Sequence, residues 1–370
     1  MLPLSLYIHY PWCRRKCPYC DFNSHVKPDV QDLDESYLKA LLADYRSLEP
    51  YIDKRGFISI YFGGGTPSLL APKLMGKLLE SLADKISAET EISMEANPGT
   101  VDYKKLCEYR ALGVNRLSLG VQSFNDHSLK RLGRIHNAET AKEACRLALK
   151  AGFDNFNIDI MHGLPDQSLK DAMDDLNIAV SLGCEHLSWY ELTLEENTLF
   201  GKHPPRLPDE EILADIEESG FVFLEKQGFK RYEISGFFKN KPCRHNLNYW
   251  YFYDYAGIGA GAHSKFFMQG NTYRRSNIED PKAFIEGKNN DVYLVPAAEV
   301  PFEFMLNRLR VFNRIDLDEF TKTTALDKEI ILPKLREAQK LGLLDFEENS
   351  YFLTSFGKRM LNDILELFLE

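Results

Sequence analysis

The 370-residue chain lacks any block of clustered lysine and arginine: 45 basic residues stand against 55 acidic ones, a formal net charge of −10. Nucleic-acid binders carry a basic footprint, so this balance argues against a polyanion partner. Nor is there a run approaching the ~18 consecutive apolar residues of a membrane span. The opening, MLPLSLYIHYPW, lacks the basic start and long apolar stretch of a secretory leader. A soluble, cytoplasmic protein is expected. Cysteine is scarce and odd in number, at seven, which speaks against a disulfide framework. Cys107, Cys145 and Cys184 fall on segments that read as helices or their ends and are expected to be free, buried thiols. A hydrophobic share of 44% and a charged share of 27% are ordinary for a globular chain, so a sizeable core can form.

Short runs rich in β-branched and aromatic residues alternate with longer helical patterns, the signature of repeated βα units around a parallel sheet. Candidate strands fall at 5–10, 58–65, 91–98, 116–124, 156–165 and 186–194, with helical stretches at 35–48, 72–86, 104–113, 138–152 and 168–183. Six repeats without a seventh or eighth predict an α/β fold, an incomplete (β/α)6 barrel open on one side, with 230–237 as a further edge strand. Polar and turn-forming residues end nearly every strand, where a parallel barrel places its chemistry. The βα rhythm stops near residue 240. The reading divides the chain into a core barrel (1–240), an aromatic-rich segment expected to close it (241–295), and a small helical or winged-helix-like domain (296–370).

Cys13, Cys17 and Cys20 follow the first candidate strand at C-x3-C-x2-C spacing. Three thiolates satisfy three irons of a [4Fe–4S] cubane and leave the fourth open to the amino and carboxylate groups of S-adenosylmethionine (SAM). A reduced cluster can then cleave the sulfonium bond, chemistry that belongs to the cofactor while the protein orients it. The alternatives are a disulfide and a structural zinc site with His25 as fourth ligand. Zinc sites more often pair C-x2-C knuckles.

The string YIHYPWCRRKCPYCDFNSH resembles the opening of the HemN/HemW group of radical SAM proteins, and the likeness extends across essentially the whole chain. It implies that Gly64, Gly65 and Thr66, in a glycine-rich turn after the second strand, contact the methionyl end of SAM. It likewise implies SAM contacts for Tyr7, Tyr19, Glu95, Gln122, Arg134 and Asp159. Without the resemblance, the last four are polar strand-end residues and Tyr7 is core. One branch of the group is implied to bind a second SAM, for which Thr193 is a candidate neighbour; one or two stays open.

Two branches compete. The coproporphyrinogen III dehydrogenase branch, which acts in porphyrin biosynthesis, carries a further cysteine two positions after the third ligand, where this chain has Phe22, and a longer N-terminal arm than the twelve residues before Cys13. The segment His245-Asn246-Leu247-Asn248-Tyr249 instead matches an H-N-x-x-Y motif associated with haem in haem chaperones of the group. On a helix, i and i+4 share a face, and imidazole is a natural ligand of haem iron. The bare reading of the same segment is a packed aromatic seam with His245 as a hydrogen-bonded core residue. Cys243 is a minor candidate for iron, and Arg244, Arg274 and Arg275 for haem propionates. His9 reads as structural. The resemblance thus implies a haem chaperone with cluster, SAM and haem, a haem-acceptor apoprotein and an electron donor as partners. A HemN-like enzyme, either the dehydrogenase or a methyltransferase, is the catalytic alternative.

Overall fold

The computed structural model describes residues 1–52 and 54–369. Six parallel strands form its centre: β1 (Leu4–Tyr10), β2 (Ser59–Gly64), β3 (Glu91–Ala96), β4 (Arg116–Gln122), β5 (Phe156–His162) and β6 (His186–Glu191), paired in that order. Helices α1 (Leu33–Ile52), α2 (Pro72–Ser81), α3 (Tyr103–Ala111), α4 (Ala138–Lys150) and α5 (Leu169–Ser181) connect them. Helix starts follow capping chemistry. Asp102, Asn137 and Ser168 accept first-turn amides, and Ser168 forms a reciprocal box with Asp171.

Parallel strands covered on both faces usually read as continuous apolar runs, but these alternate. Leu6, Ile60, Met94, Leu119, Ile158 and Leu187 are buried within the main apolar core. The intervening positions make polar rows across the sheet: Ser59 beside Glu91, Tyr61 beside Ser93, Glu95 beside Ser118, and Asp159 beside Ser188. One face of the sheet is therefore polar, as a ligand cavity requires.

The expected edge strand forms as a hairpin of Lys230–Arg231 and β7 (Gly236–Phe238), with β7 antiparallel to β6. The 241–295 segment, expected to close the barrel, extends the sheet instead. After α6 (Arg244–Trp250), strand β8 (Asp254–Ile258) pairs parallel with β1, and β9 (His263–Met268) and β10 (Asn271–Ser276) follow antiparallel. The sheet thus has two edges and does not close.

The last unit has the element order of a winged helix: helix Val300–Arg308, strand Ile315–Asp316, helices Leu317–Thr324 and Leu332–Lys340, then strands Leu344–Glu347 and Ser350–Leu353. It buries its own core around Phe304, Phe320, Leu335 and Tyr351, and Phe252 from the sheet side joins that core. Among the described residues, no helix is long and apolar enough to cross a membrane.

Candidate cofactor site

A cavity of about 500 Å³ opens at the carboxyl ends of the strands, a volume suited to one small-molecule ligand. All three cysteines line it, together with Tyr19, Gly64, Gly65, Thr66, Glu95, Gln122, Arg134 and Asp159. Tyr7 is the exception among the expected SAM residues. It does not line the cavity but lies behind it, its ring 6.3 Å from that of Tyr61 and its hydroxyl bonded to His9 Nδ1 at 3.0 Å.

The cysteine loop is fastened to the glycine turn. Gly65 N donates to Tyr10 O and Thr66 N to Trp12 O. A Cβ on Gly65 would come within 2.8 Å of the Pro11 carbonyl, so only glycine allows this approach. Gly64, at φ +112°, sits over the His9 ring. His9 Nε2 in turn meets Asn23 O at 2.8 Å, which makes it the structural histidine the sequence suggested.

Each sulfur has a polar neighbour. Thr66 Oγ1 donates to Cys13 Sγ at 3.3 Å, Arg134 Nη1 to Cys17 Sγ at 3.7 Å, and Ser24 Oγ lies 3.6 Å from Cys20 Sγ. Burial otherwise raises the Cys13 and Cys20 thiols, so the anionic form needs a metal as well as these neighbours. Three free thiols on one cavity rim, each with such support, fit a [4Fe–4S] cluster. The zinc alternative fits poorly. His25 Nε2 is bonded to Asn23 Oδ1 at 2.9 Å, and no three or more His, Cys, Asp or Glu among the described residues converge as a single-ion site.

The remaining walls are hydrogen-bonded into place. Glu95 accepts from Tyr61 Oη at 3.0 Å and from Gly64 N at 3.2 Å. Burial and the neighbouring Asp159 push its carboxyl up to about 7. Asp159 accepts from Ser118 Oγ at 3.0 Å and Asn157 Nδ2 at 2.7 Å, and burial raises it also. Gln122 ends β4 at φ +73°, beside a register shift that turns its side chain inward, where it accepts from Tyr190 Oη at 2.7 Å. Arg134 donates to Gly120 O and Tyr19 Oη while its buried Nε has no partner, leaving a donor for a ligand. Tyr61, Ser188, Tyr190 and Asn246 also line the cavity, as does Thr193. The sequence reading named neither Tyr61, Ser188 nor Tyr190. Their signal was the alternation along β2 and β6.

The expected haem residues sit differently. Asn246 reaches the cavity wall, but His245 is 1% exposed and lies beneath it. Its Nδ1 meets Ser59 Oγ at 2.9 Å, its Nε2 meets Tyr249 Oη at 2.8 Å, and its ring stacks on Tyr61 with centroids 4.8 Å apart. Desolvation lowers its pKa to about 3. This is the hydrogen-bonded aromatic seam of the bare reading, and both nitrogens are occupied. Cys243 is buried and donates to Glu91. Arg275 is buried against Asp44 at 2.9 Å, and Arg274 is paired with Glu303 at 2.8 Å. Neither is free for a propionate. Arg244 is exposed and bonded to Glu89 O.

A three-cysteine loop over a polar cavity in an open parallel βα barrel defines the radical SAM class. Residues 7–177 match the family model of the radical SAM superfamily, and 295–359 match that of the HemN C-terminal domain. Coproporphyrinogen III oxidase (HemN) from Escherichia coli has the same fold, with a TM-score of 0.83 at 23% identity over 99% of this chain and 90% of that one. Proteins named heme chaperone HemW are more similar in sequence. That of Escherichia coli K12 is 47% identical over 99% of this chain and 98% of its own, and that of Haemophilus influenzae 45% over the same shares. The Bacillus subtilis protein is 33% identical over 99% of both. The chain belongs to the HemW family of radical SAM proteins.

Proposed function

We propose that this protein is a haem chaperone of the cytosol, taking up haem and passing it to an acceptor apoprotein on a core that holds a [4Fe–4S] cluster and SAM. The observation that carries the reading is similarity at 33–47% identity, over 99% of the chain, to proteins named for that activity. Cys13, Cys17 and Cys20 would hold the cluster, which supplies one-electron chemistry at bound SAM. Arg134 places a guanidinium donor on Cys17 Sγ at 3.7 Å. Glu95 and the Gly64–Thr66 turn offer a carboxylate and bare backbone to an ammonium group, while Asp159 and Gln122 offer acceptors to hydroxyls. An electron donor and a haem acceptor are the partners this reading requires. A reducing compartment suits seven free cysteines.

Haem ligation by His245, with Asn246 and Tyr249 beside it, requires the ring to leave Ser59 and Tyr249 and turn outward. Phe22, 59% exposed, lines the cavity at the position where the resemblance implies an extra cysteine in the dehydrogenase branch. Anaerobically reconstituted protein should give the electron paramagnetic resonance signal of a reduced cubane, shifted by SAM and abolished in Cys17→Ala. It should leave coproporphyrinogen III unchanged in the presence of SAM and reductant. Robust turnover to protoporphyrinogen IX would overturn the chaperone reading.

A further inference from the structure

Arg116 is the only lysine or arginine on any of the six central strands. It opens β4 beside Ser93 of β3, one inward-facing step before the pair of Ser118 and Glu95. Arg116 is 2% exposed and does not line the cavity, whereas Glu95 and Asp159 do. A guanidinium buried to this degree is ordinarily paired with a carboxylate. This one is not. Its Nε has no partner, and among the described residues its guanidinium makes neither an ion pair nor a hydrogen bond. Glu91 acts on it through space but gives its oxygens to the amides of Arg244 and His245. A charge held this way costs stability. It is also confined to no single acceptor, so its field reaches each carboxylate on the polar face of the sheet.

We propose that Arg116 is a positioning residue for SAM: its unpaired guanidinium, one step below the cavity wall, keeps Glu95 and Asp159 available as acceptors for the amino and hydroxyl groups of the ligand. The inference rests on the reading of the cavity as the SAM site and deepens it. Glu95 faces Tyr7 on β1, Tyr61 on β2, Arg116 on β4, Asp159 on β5 and Tyr190 on β6. Burial keeps the three phenols neutral, and His186 on β6 and His245 on α6 are neutral for the same reason. Arg134 is engaged with Gly120, Tyr19 and Cys17. Asp159 and Arg116 are therefore the charged groups that set the state of Glu95. Burial and Asp159 push its carboxyl up to about 7, and Arg116 opposes both, as it opposes the rise of Asp159. Without Arg116, two buried carboxyls would share one wall with no countercharge and take up protons more readily. A protonated carboxyl accepts fewer hydrogen bonds.

The test is anaerobic equilibrium dialysis of SAM against the cluster-reconstituted protein between pH 6 and pH 9, comparing the wild type with Arg116→Met and Arg116→Lys. The ligand's own titration is common to all three and cancels in the ratio of their affinities. Arg116→Met should bind SAM more weakly than the wild type at pH 7, by about 5-fold or more, and close to within about 2-fold by pH 9, where Glu95 ionises without help. Arg116→Lys, which keeps the charge, should stay near the wild type at pH 7. Equal affinity of Arg116→Met and the wild type at pH 7 overturns the inference. So does a loss of the same factor at every pH, which is the mark of a merely structural role, or Arg116→Lys no better than Arg116→Met at pH 7. Failure of the wild type to bind SAM at any pH overturns the SAM reading of the cavity itself. Arg116→Gln, neutral and polar, gives the same comparison if Arg116→Met folds poorly.

Discussion

Burial of histidine sets the response to acid. Desolvation holds His9, His136 and His162 at about 4 and His245 at about 3, against about 6.5 in an unfolded chain. The folded state thus binds fewer protons. Its stability from these groups is full above pH 6.5 and is lost as the pH falls toward 4, by about 1.4 kcal/mol per group per pH unit. Buried carboxyls, among them Asp44, Asp159 and Glu233, act in the opposite sense. Glu95 is raised to about 7 and Asp175 to about 6, chiefly by burial, so their contribution is present below about 4.5 and lost as the pH rises through those values. The histidine share is read by replacement: the fall in urea midpoint from pH 6.5 to 5 should be smaller in His162→Gln than in the wild type, and an equal fall would contradict the assigned burial. At this scale it was the family resemblance that singled out Glu95, Gln122, Arg134 and Asp159; by pattern alone they read as polar rim residues, and Arg134 lies beyond a helix rather than on a strand. The sequence did not show Tyr61 or Tyr190, since a strand tyrosine reads as packing until the register says which face it takes. For His245 the motif was visible in the sequence. Of the two hydrogen bonds that hold it, one comes from Ser59, 186 residues away.

Two elements hold the site in place and can be tested separately. The glycine turn carries the cysteine loop, and Gly65→Ala would set a methyl against the Pro11 and Trp12 backbone at 2.8 Å. Overpacking costs about 1–3 kcal/mol, and the variant should unfold at lower temperature and retain less iron after reconstitution. Helix α6 starts on a carboxylate from another strand: Glu91 accepts from Arg244 N at 3.1 Å and His245 N at 3.2 Å. Loss of a cap costs about 0.5–2 kcal/mol. Glu91→Ala should accelerate hydrogen exchange at 244–250 while leaving β5 and β6 protected. Equal acceleration throughout would mean global destabilisation. The strands themselves were legible because each alternates and is followed by turn residues. The expected strands ran too far at their carboxyl ends, to 124, 165 and 194, because the chain there turns into the cavity. Gln122 and Gly163 adopt positive φ at two of those points, which ends the ladder while the residue types still favour a strand.

On the scale of the whole molecule, the end of the βα rhythm near residue 240 marked a change of role, but not where the next segment would go. Strand β8 pairs with β1 across some two hundred and fifty residues, and no local pattern encodes so distant a partner. The result is an open sheet whose haem-motif helix sits under the cavity floor and whose winged-helix unit shares Phe252 with the sheet side. On the proposed reading that layout would put cluster, SAM and haem on one device, and what would distinguish a chaperone from an enzyme on the same fold is the fate of the haem. The direct measurement loads the reconstituted protein with one equivalent of haem and offers it anaerobically to haem-free b-type proteins of the same cell, one at a time. Haem absorbance of each acceptor is followed against the same concentration of free haem. The account predicts that at least one acceptor fills faster from the loaded protein, and that His245→Ala, holding haem less tightly, loses that advantage. Acceptors that all fill no faster than from free haem would contradict it.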